Sequence, residues 1–185
     1  VRESIYIALV HYPVYDRRKR VVTTSITNLD LHDLARLTRT FGLGSFYVVQ
    51  PSPLQRELAA RIISHWDRGG GASYNETRKE AFKTVRMVES LEEMKREIEN
   101  EMGKPPTFIS TTGRDFPEQV EYDELKRKLP DVLPAVFLFG TGWGLADDLI
   151  LSSDFVLKPI KISSDYNHLS VRCAAAIILD RILGR

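Results

Sequence analysis

In the stretch PAVFLFGTGWGLADDLI, Pro134 to Ile150, an apolar run stops at three glycines in alternate positions, Gly140, Gly142 and Gly144, and an acidic, helix-like segment follows. A loop without Cβ atoms lets a flat or charged ligand reach the main chain and use its N–H and C=O groups directly. The same glycines also serve a simpler purpose, a tight strand-to-helix turn that needs positive φ. Two glycine motifs can be set against this spacing. A phosphate-cradling P-loop needs Gly-Lys-Ser/Thr where its helix opens, but Gly144 is followed by Leu145 and Ala146. A dinucleotide fingerprint needs GxGxxG after the first strand and an acid about 20 positions on. Here the spacing is GxGxG, late in the chain, and position 160 is Ile, which leaves a dinucleotide oxidoreductase as the weaker alternative. Elsewhere, Arg17, Arg18, Lys19 and Arg20 follow Asp16 in a loop, either as solvated surface or as a local site for a polyanion. The single cysteine, Cys173, excludes an intramolecular disulfide and any multi-cysteine metal site; in VRCAAAIIL it reads as a small core residue.

The elements that must position these residues follow from periodicity. SIYIALV, Ser4 to Val10, is short, apolar and β-branched, a buried strand ending near Tyr12-Pro13. Asn28 to Thr40 carries Leu31, Leu34, Ala35 and Leu37 on one face, a helix with Asn28 or Asp30 as N-cap and Gly42 as its stop. Further strands are expected at 45–49, 84–88, 106–110, 134–139 and 154–157, and helices at 54–66 and 91–102. The glycines at 69, 70 and 71 predict a mobile loop. From about His168 to Leu183 runs a last helix that is apolar around nearly its whole circumference and so must be covered all round, for which a second subunit is a suitable cover. Apolar strands alternating with helices predict an α/β fold with a parallel sheet covered on both faces.

With 185 residues and 43% hydrophobic content the chain suits one globular domain, 1–185. A formal net charge of +1 offers no whole-molecule attraction to a polyanion, so any nucleic-acid surface must be local. No basic-then-apolar leader and no apolar run of about 18 residues is present, which predicts a soluble, cytoplasmic protein that does not enter a membrane.

Three stretches in order carry a resemblance. FLFGTGWGLAD, LKPIKISSDYNHLSVRCAAAIIL and NLDLHDLARLTRTFGL resemble the second, third and first motifs of the SPOUT superfamily of RNA methyltransferases, which use S-adenosylmethionine (AdoMet). The chain is most similar to a less characterised group sometimes attached to a tRNA guanine-N1 methyltransferase domain. The resemblance implies a C-terminal deep trefoil knot, an obligate homodimer through the last helix, AdoMet as cofactor with S-adenosylhomocysteine as product, and tRNA or rRNA as substrate. It implies three loops around AdoMet: Thr111, Thr112 and Gly113; Gly140, Thr141, Gly142, Gly144 and Leu145; and Ile160 to Ser170, including His168. Leu138, Ile160 and Leu169 would pack against the adenine. The family's functional arginine falls on Arg36, with Arg39 one turn later as competitor; Arg17 to Arg20 would contact RNA phosphates.

A ribose hydroxyl ionises far above pH 7, so its proton must be taken or its alkoxide stabilised. Arg36 is the matched candidate, unless it is a solvated residue pairing with Asp33. His168 stands beside the expected methyl group or caps the last helix, while Asp30 and His32 are either bases or a cap and a surface residue. The family's ribose-methylating branch has Asn-Glu where this chain has Thr141 and Gly142, so ribose oxygen and base nitrogen both stay open. A non-catalytic AdoMet- or RNA-binding module is the alternative from another class.

Overall fold

In the computed structural model, residues 2–161 and 166–184 are described. The elements in chain order are β1 (Ile5–Val10), β2 (Val14–Tyr15), β3 (Val21–Val22), α1 (Asn28–Phe41), β4 (Phe46–Val49), α2 (Pro53–Asp67), α3 (Gly70–Tyr74), α4 (Glu76–Phe82) and β5 (Val85–Val88). There follow α5 (Leu91–Met102), β6 (Thr107–Ser110), α6 (Tyr122–Lys128), β7 (Ala135–Gly140), α7 (Asp147–Leu151), β8 (Phe155–Val156) and α8 (Val171–Leu183). Six strands form one parallel sheet in the order β5-β4-β1-β7-β6-β8, and β2 and β3 form a separate antiparallel hairpin.

The central strand explains the continuous apolar run. Alternate residues of a strand face opposite sides. Ile5, Ile7 and Leu9 pack with Leu31, Leu34, Ala175 and Leu179 from α1 and α8, while Tyr6, Ala8 and Val10 pack with Met94, Ile98 and Ile150 from α5 and α7. Helices cover both faces, as expected for a parallel sheet. Helix α1 is capped by Thr27, whose side chain accepts from the Asp30 N–H, and it ends at Gly42 with φ 68°. The expected caps Asn28 and Asp30 are therefore corrected: an N-cap stands just before the first helical residue, and that place belongs to Thr27.

Three more expectations change. The glycines at 69–71 lead into the short α3, packed with α2 and α4 beside Trp66, whose ring stacks with Phe82 and carries Arg78 at 4.5 Å. Helix α8 starts at Val171, not near His168, with Ser170 Oγ accepting from the Cys173 N–H. Cys173 is exposed, because α8 buries Ala175, Ile178, Leu179 and Ile182 within the chain and turns Cys173 outward.

Candidate functional site

The carboxyl ends of the sheet strands frame a cleft of about 780 Å³, the usual place for ligands in open α/β sheets. Three segments meet there. Thr111, Thr112 and Gly113 follow β6; Gly140, Thr141, Gly142 and Gly144 follow β7; and Ile160, with His168, Leu169 and Ser170, closes the third side. Residues 162–165 of that third expected loop lie outside the described residues. Phe139, Ile160, Leu169 and Ile178 form the apolar part of the lining.

The segments are fastened to one another. Thr111 donates from both N–H and Oγ1 to the Leu138 carbonyl, at 3.1 and 2.8 Å. Arg114 spans two loops: Nη1 pairs with Asp147 Oδ1 at 2.5 Å and Nη2 donates to the Leu145 carbonyl at 2.8 Å, with the guanidinium over the rings of Tyr15 and Phe116. Asn167 Nδ2 donates to the Gly113 carbonyl at 3.2 Å.

The β2–β3 hairpin, which periodicity does not reveal, is strapped onto the glycine loop. Tyr15 N–H donates to the Gly144 carbonyl, Trp143 N–H donates to the Tyr15 carbonyl, and Ala146 N–H donates to the Pro13 carbonyl. Asp16 organises the tip: its carboxylate accepts from the Arg18 and Arg20 N–H groups and pairs with the Arg20 guanidinium at 2.7 Å. Those contacts, the Arg20 N–H first, hold the Asp16 carboxyl below its usual range. Arg17, Arg18 and Lys19 are left exposed at the tip.

Beneath the loop lies a directional hydrogen-bond chain. Thr141 Oγ1 donates to the Val10 carbonyl at 3.0 Å, so it accepts from Thr24 Oγ1 at 2.5 Å, and Thr24 in turn accepts from His11 Nδ1 at 2.9 Å. That order assigns the His11 proton to Nδ1. His11 is fully buried and its Nε2 has no partner among the described residues. A proton on Nε2 would have no acceptor, and burial pushes the imidazole down to about 4 against the opposing pull of Asp30 and Thr24.

The glycines serve the protein before any ligand. A Cβ at Gly142, where φ is 59°, would lie 3.0 Å from the Tyr15 carbonyl and 3.1 Å from Thr24 Cγ2, and one at Gly140 would lie 2.5 Å from the Leu145 nitrogen. The turn reading, which needs positive φ, thus holds at Gly142 and Gly144, with φ 59° and 93°, while Gly140 is required because the loop folds back on itself. At Gly113 the nearest atom to an added Cβ is 3.7 Å away, so there a side chain is missing without being sterically forbidden.

Several expected site residues fall elsewhere. Leu138 is buried among the α5 and α7 contacts, and its neighbour Phe139 supplies the cleft's ring, because adjacent strand residues face opposite ways. Leu145 is likewise buried in that layer and reaches the site only through its carbonyl. Arg36 and Arg39 line a different concavity of about 310 Å³ with Asn75, Thr77 and Arg78, and Arg36 sits 3.8 Å from Asp33. His32 is wedged edge-on against Trp66 and Phe82, with burial and then Arg78 lowering its pKa. Asp30 does line the cleft, bound to Arg172 at 2.6 Å, and Arg172 also reaches Asp33 at 3.3 Å. Sequence reasoning passed over Arg172, Arg114, Phe139 and Trp143; the acid at 30 and the cation at 172 were the visible trace of one pair.

Over residues 4–184 the chain matches a protein family described as SAM-dependent RNA methyltransferase. The chain belongs to this family. Among relatives, it is 44% identical over 181 residues to the tRNA (guanine-N(1)-)-methyltransferase of Oleidesulfovibrio alaskensis, covering 98% of this chain and 42% of that protein. It is 40% identical over 189 residues to an uncharacterized protein of Aquifex aeolicus, covering 100% of this chain and 91% of that protein. The chain therefore spans less than half the length of the first relative and nearly all of the second. Its fold is that of the SpoU methyltransferases. The enzyme AviRb of Streptomyces viridochromogenes, solved with AdoMet, aligns with TM-score 0.62 at 15% identity over 99% of this chain and 61% of that one. The TrmH/SpoU tRNA modifying enzyme of A. aeolicus aligns with TM-score 0.59 at 14% identity over 98% and 74%. Membership of this SAM-dependent family makes AdoMet the cofactor against which the cleft is to be read.

Proposed function

We propose that this chain, as one domain over residues 1–185, methylates tRNA or rRNA at a ribose 2′-oxygen or a base nitrogen, using AdoMet and releasing S-adenosylhomocysteine. The observation that carries the proposal is the convergence of three segments distant in sequence on one cleft, in a chain of this family. The residues fit the cofactor. Phe139, Ile160, Leu169 and Ile178 suit an adenine ring, the open position at Gly113 leaves the main chain approachable, and the fixed Arg172 guanidinium suits a carboxylate. AdoMet supplies a methyl group on a cationic sulfur, transferred by in-line displacement to the acceptor.

The chain's own work is alignment and charge. Arg114 ties the two main-chain loops together so that they hold their ligand in one orientation. His168, exposed at the mouth, is the side chain we assign to receive the acceptor's proton. Arg36 stands six residues beyond Asp30 on α1, about 9 Å along the helix axis, and outside the cleft. We therefore assign Arg36, or Arg39 beside it, to the cleft of a second copy in a homodimer built on α8, whose Cys173 is exposed and whose Ile177 is only partly covered. Arg17 to Lys19 supply phosphate contacts, with Arg20 held by Asp16.

The return of the chain from the edge strand β8 to α8, packed on α1 and β7, supports the trefoil knot. The longer relatives support a partner methyltransferase domain. Among the described residues no helix is long and apolar enough to cross a membrane, and we assign the protein to the cytoplasm. Calorimetry with AdoMet and S-adenosylhomocysteine, followed by labelled-methyl transfer to total RNA from a strain lacking the protein, tests the proposal. Binding with transfer supports it; binding without transfer leaves a non-catalytic module, and no binding refutes the cofactor seat.

A further inference from the structure

At the mouth of the cleft stands a group of exposed rings. Trp143, at the tip of the glycine loop, is 55% exposed although its backbone is pinned by the Tyr15 carbonyl. The flanking glycines take φ 59° and 93°, turning the indole outward rather than into the core. His168 meets the indole edge-on at 6.2 Å between centroids, and Tyr166 meets His168 edge-on at 5.1 Å. A large ring held in solvent by a fastened loop forgoes burial that a mobile loop could recover, so its exposure calls for a partner. The hairpin that pins Trp143 carries the exposed Arg17, Arg18 and Lys19 only two to four residues beyond Tyr15. Aromatic faces beside cations are the physical requirement for unpaired nucleic acid, in which bases stack on rings and phosphates lie on the cations.

We propose that Trp143, braced by His168, is the stacking platform for one unpaired RNA base at the mouth of the cleft, with Arg17, Arg18 and Lys19 taking the adjoining phosphates. This deepens the RNA methyltransferase reading and rests on it. Trp143 and His168 also line the cleft, so a base stacked there brings its own nucleotide or the next one to the site of methyl transfer. The platform requires the base to be unstacked from its neighbours, so the substrate class is RNA in a loop, bulge or single strand, not a continuous duplex.

The test uses the full chain, a short unpaired polyuridine oligonucleotide, and a perfect RNA duplex of the same length. Trp143→Ala should weaken binding of the unpaired RNA by between about 5- and 150-fold, Trp143→Phe should restore most of it, and AdoMet affinity should fall far less than RNA affinity. The slope of log affinity against log salt should stay the same in Trp143→Ala and become shallower in the Arg17→Ala/Arg18→Ala variant, because only the latter releases fewer counterions. Unchanged RNA affinity in Trp143→Ala, or wild-type preference for the duplex, would overturn the platform while leaving the methyltransferase reading intact. An equal loss of AdoMet affinity would make the indole a cover for the cofactor and also overturn it. A wild-type chain that binds neither RNA would remove the platform together with the RNA reading.

Discussion

Acidification should uncouple the floor of the glycine loop through His11. The folded protein holds this imidazole neutral, with its pKa pushed from the ordinary 6.5 down to about 4 by burial, whereas the unfolded chain protonates it near the ordinary value. The unfolded state therefore binds more protons between these limits, and stability falls as pH drops from about 6.5 to about 4. A separation of about 2.5 units corresponds to about 3 kcal/mol, a large share of the roughly 5–15 kcal/mol that holds a typical domain together. Carboxylates titrate in the same window, so the wild type must be compared with His11→Phe, which keeps a ring and removes the titration. At pH 7 the variant should be less stable by about 1–3 kcal/mol, since Thr24 Oγ1 loses its donor inside the chain to Thr141. By pH 4 that deficit should shrink by about 3 kcal/mol and close or reverse. Urea unfolding of both proteins at the two pH values measures the difference, and NMR titration of the His11 ring measures the pKa itself. A ring that titrates near 6.5, or a wild-type advantage that does not change with pH, would refute the buried, one-sided hydrogen-bond chain.

Other outcomes follow from where side chains sit. Ile177→Glu should convert a dimer into a folded monomer by light scattering, whereas Ile178→Glu, at a position only 4% exposed, should unfold the chain; a folded Ile178→Glu monomer would refute the assignment of faces. Gly142→Val should lower the melting temperature, because its Cβ meets Tyr15 and Thr24, while Gly113→Val should keep the melting temperature and lose AdoMet affinity by at least about tenfold, about 1.4 kcal/mol in binding free energy. Mixing Arg36→Ala with Gly113→Val subunits should restore methyl transfer that neither variant has alone, since only the mixed dimer pairs an intact cleft with an intact arginine; no recovery would place Arg36 outside the reaction or within its own subunit's site.

Much of the framework was legible because it is local. The run IYIALV specified a strand buried on both faces, LEEMKREIENEM specified α5 over Leu91–Met102, and the glycine triplet marked a loop at a strand end. Hydrophobic period and turn chemistry act between neighbours in the chain, so they can be read without knowing what lies opposite. Three ordered motifs also carried the family. What the tertiary structure decided is which neighbour faces the cleft. Phe139 replaces Leu138 because strand parity alone does not say which side of the sheet carries the site. Gly142 accommodates a hairpin whose Thr24 is joined to Thr141 across 117 residues. Asp30 and Arg172, 142 positions apart, meet as an ion pair, while Arg36 on the same helix as Asp30 lines a different concavity. Helical rotation turns Cys173 outward and Ile178 inward along a stretch that reads as uniformly apolar. These relations depend on how the chain returns across the sheet, and no local pattern encodes that path.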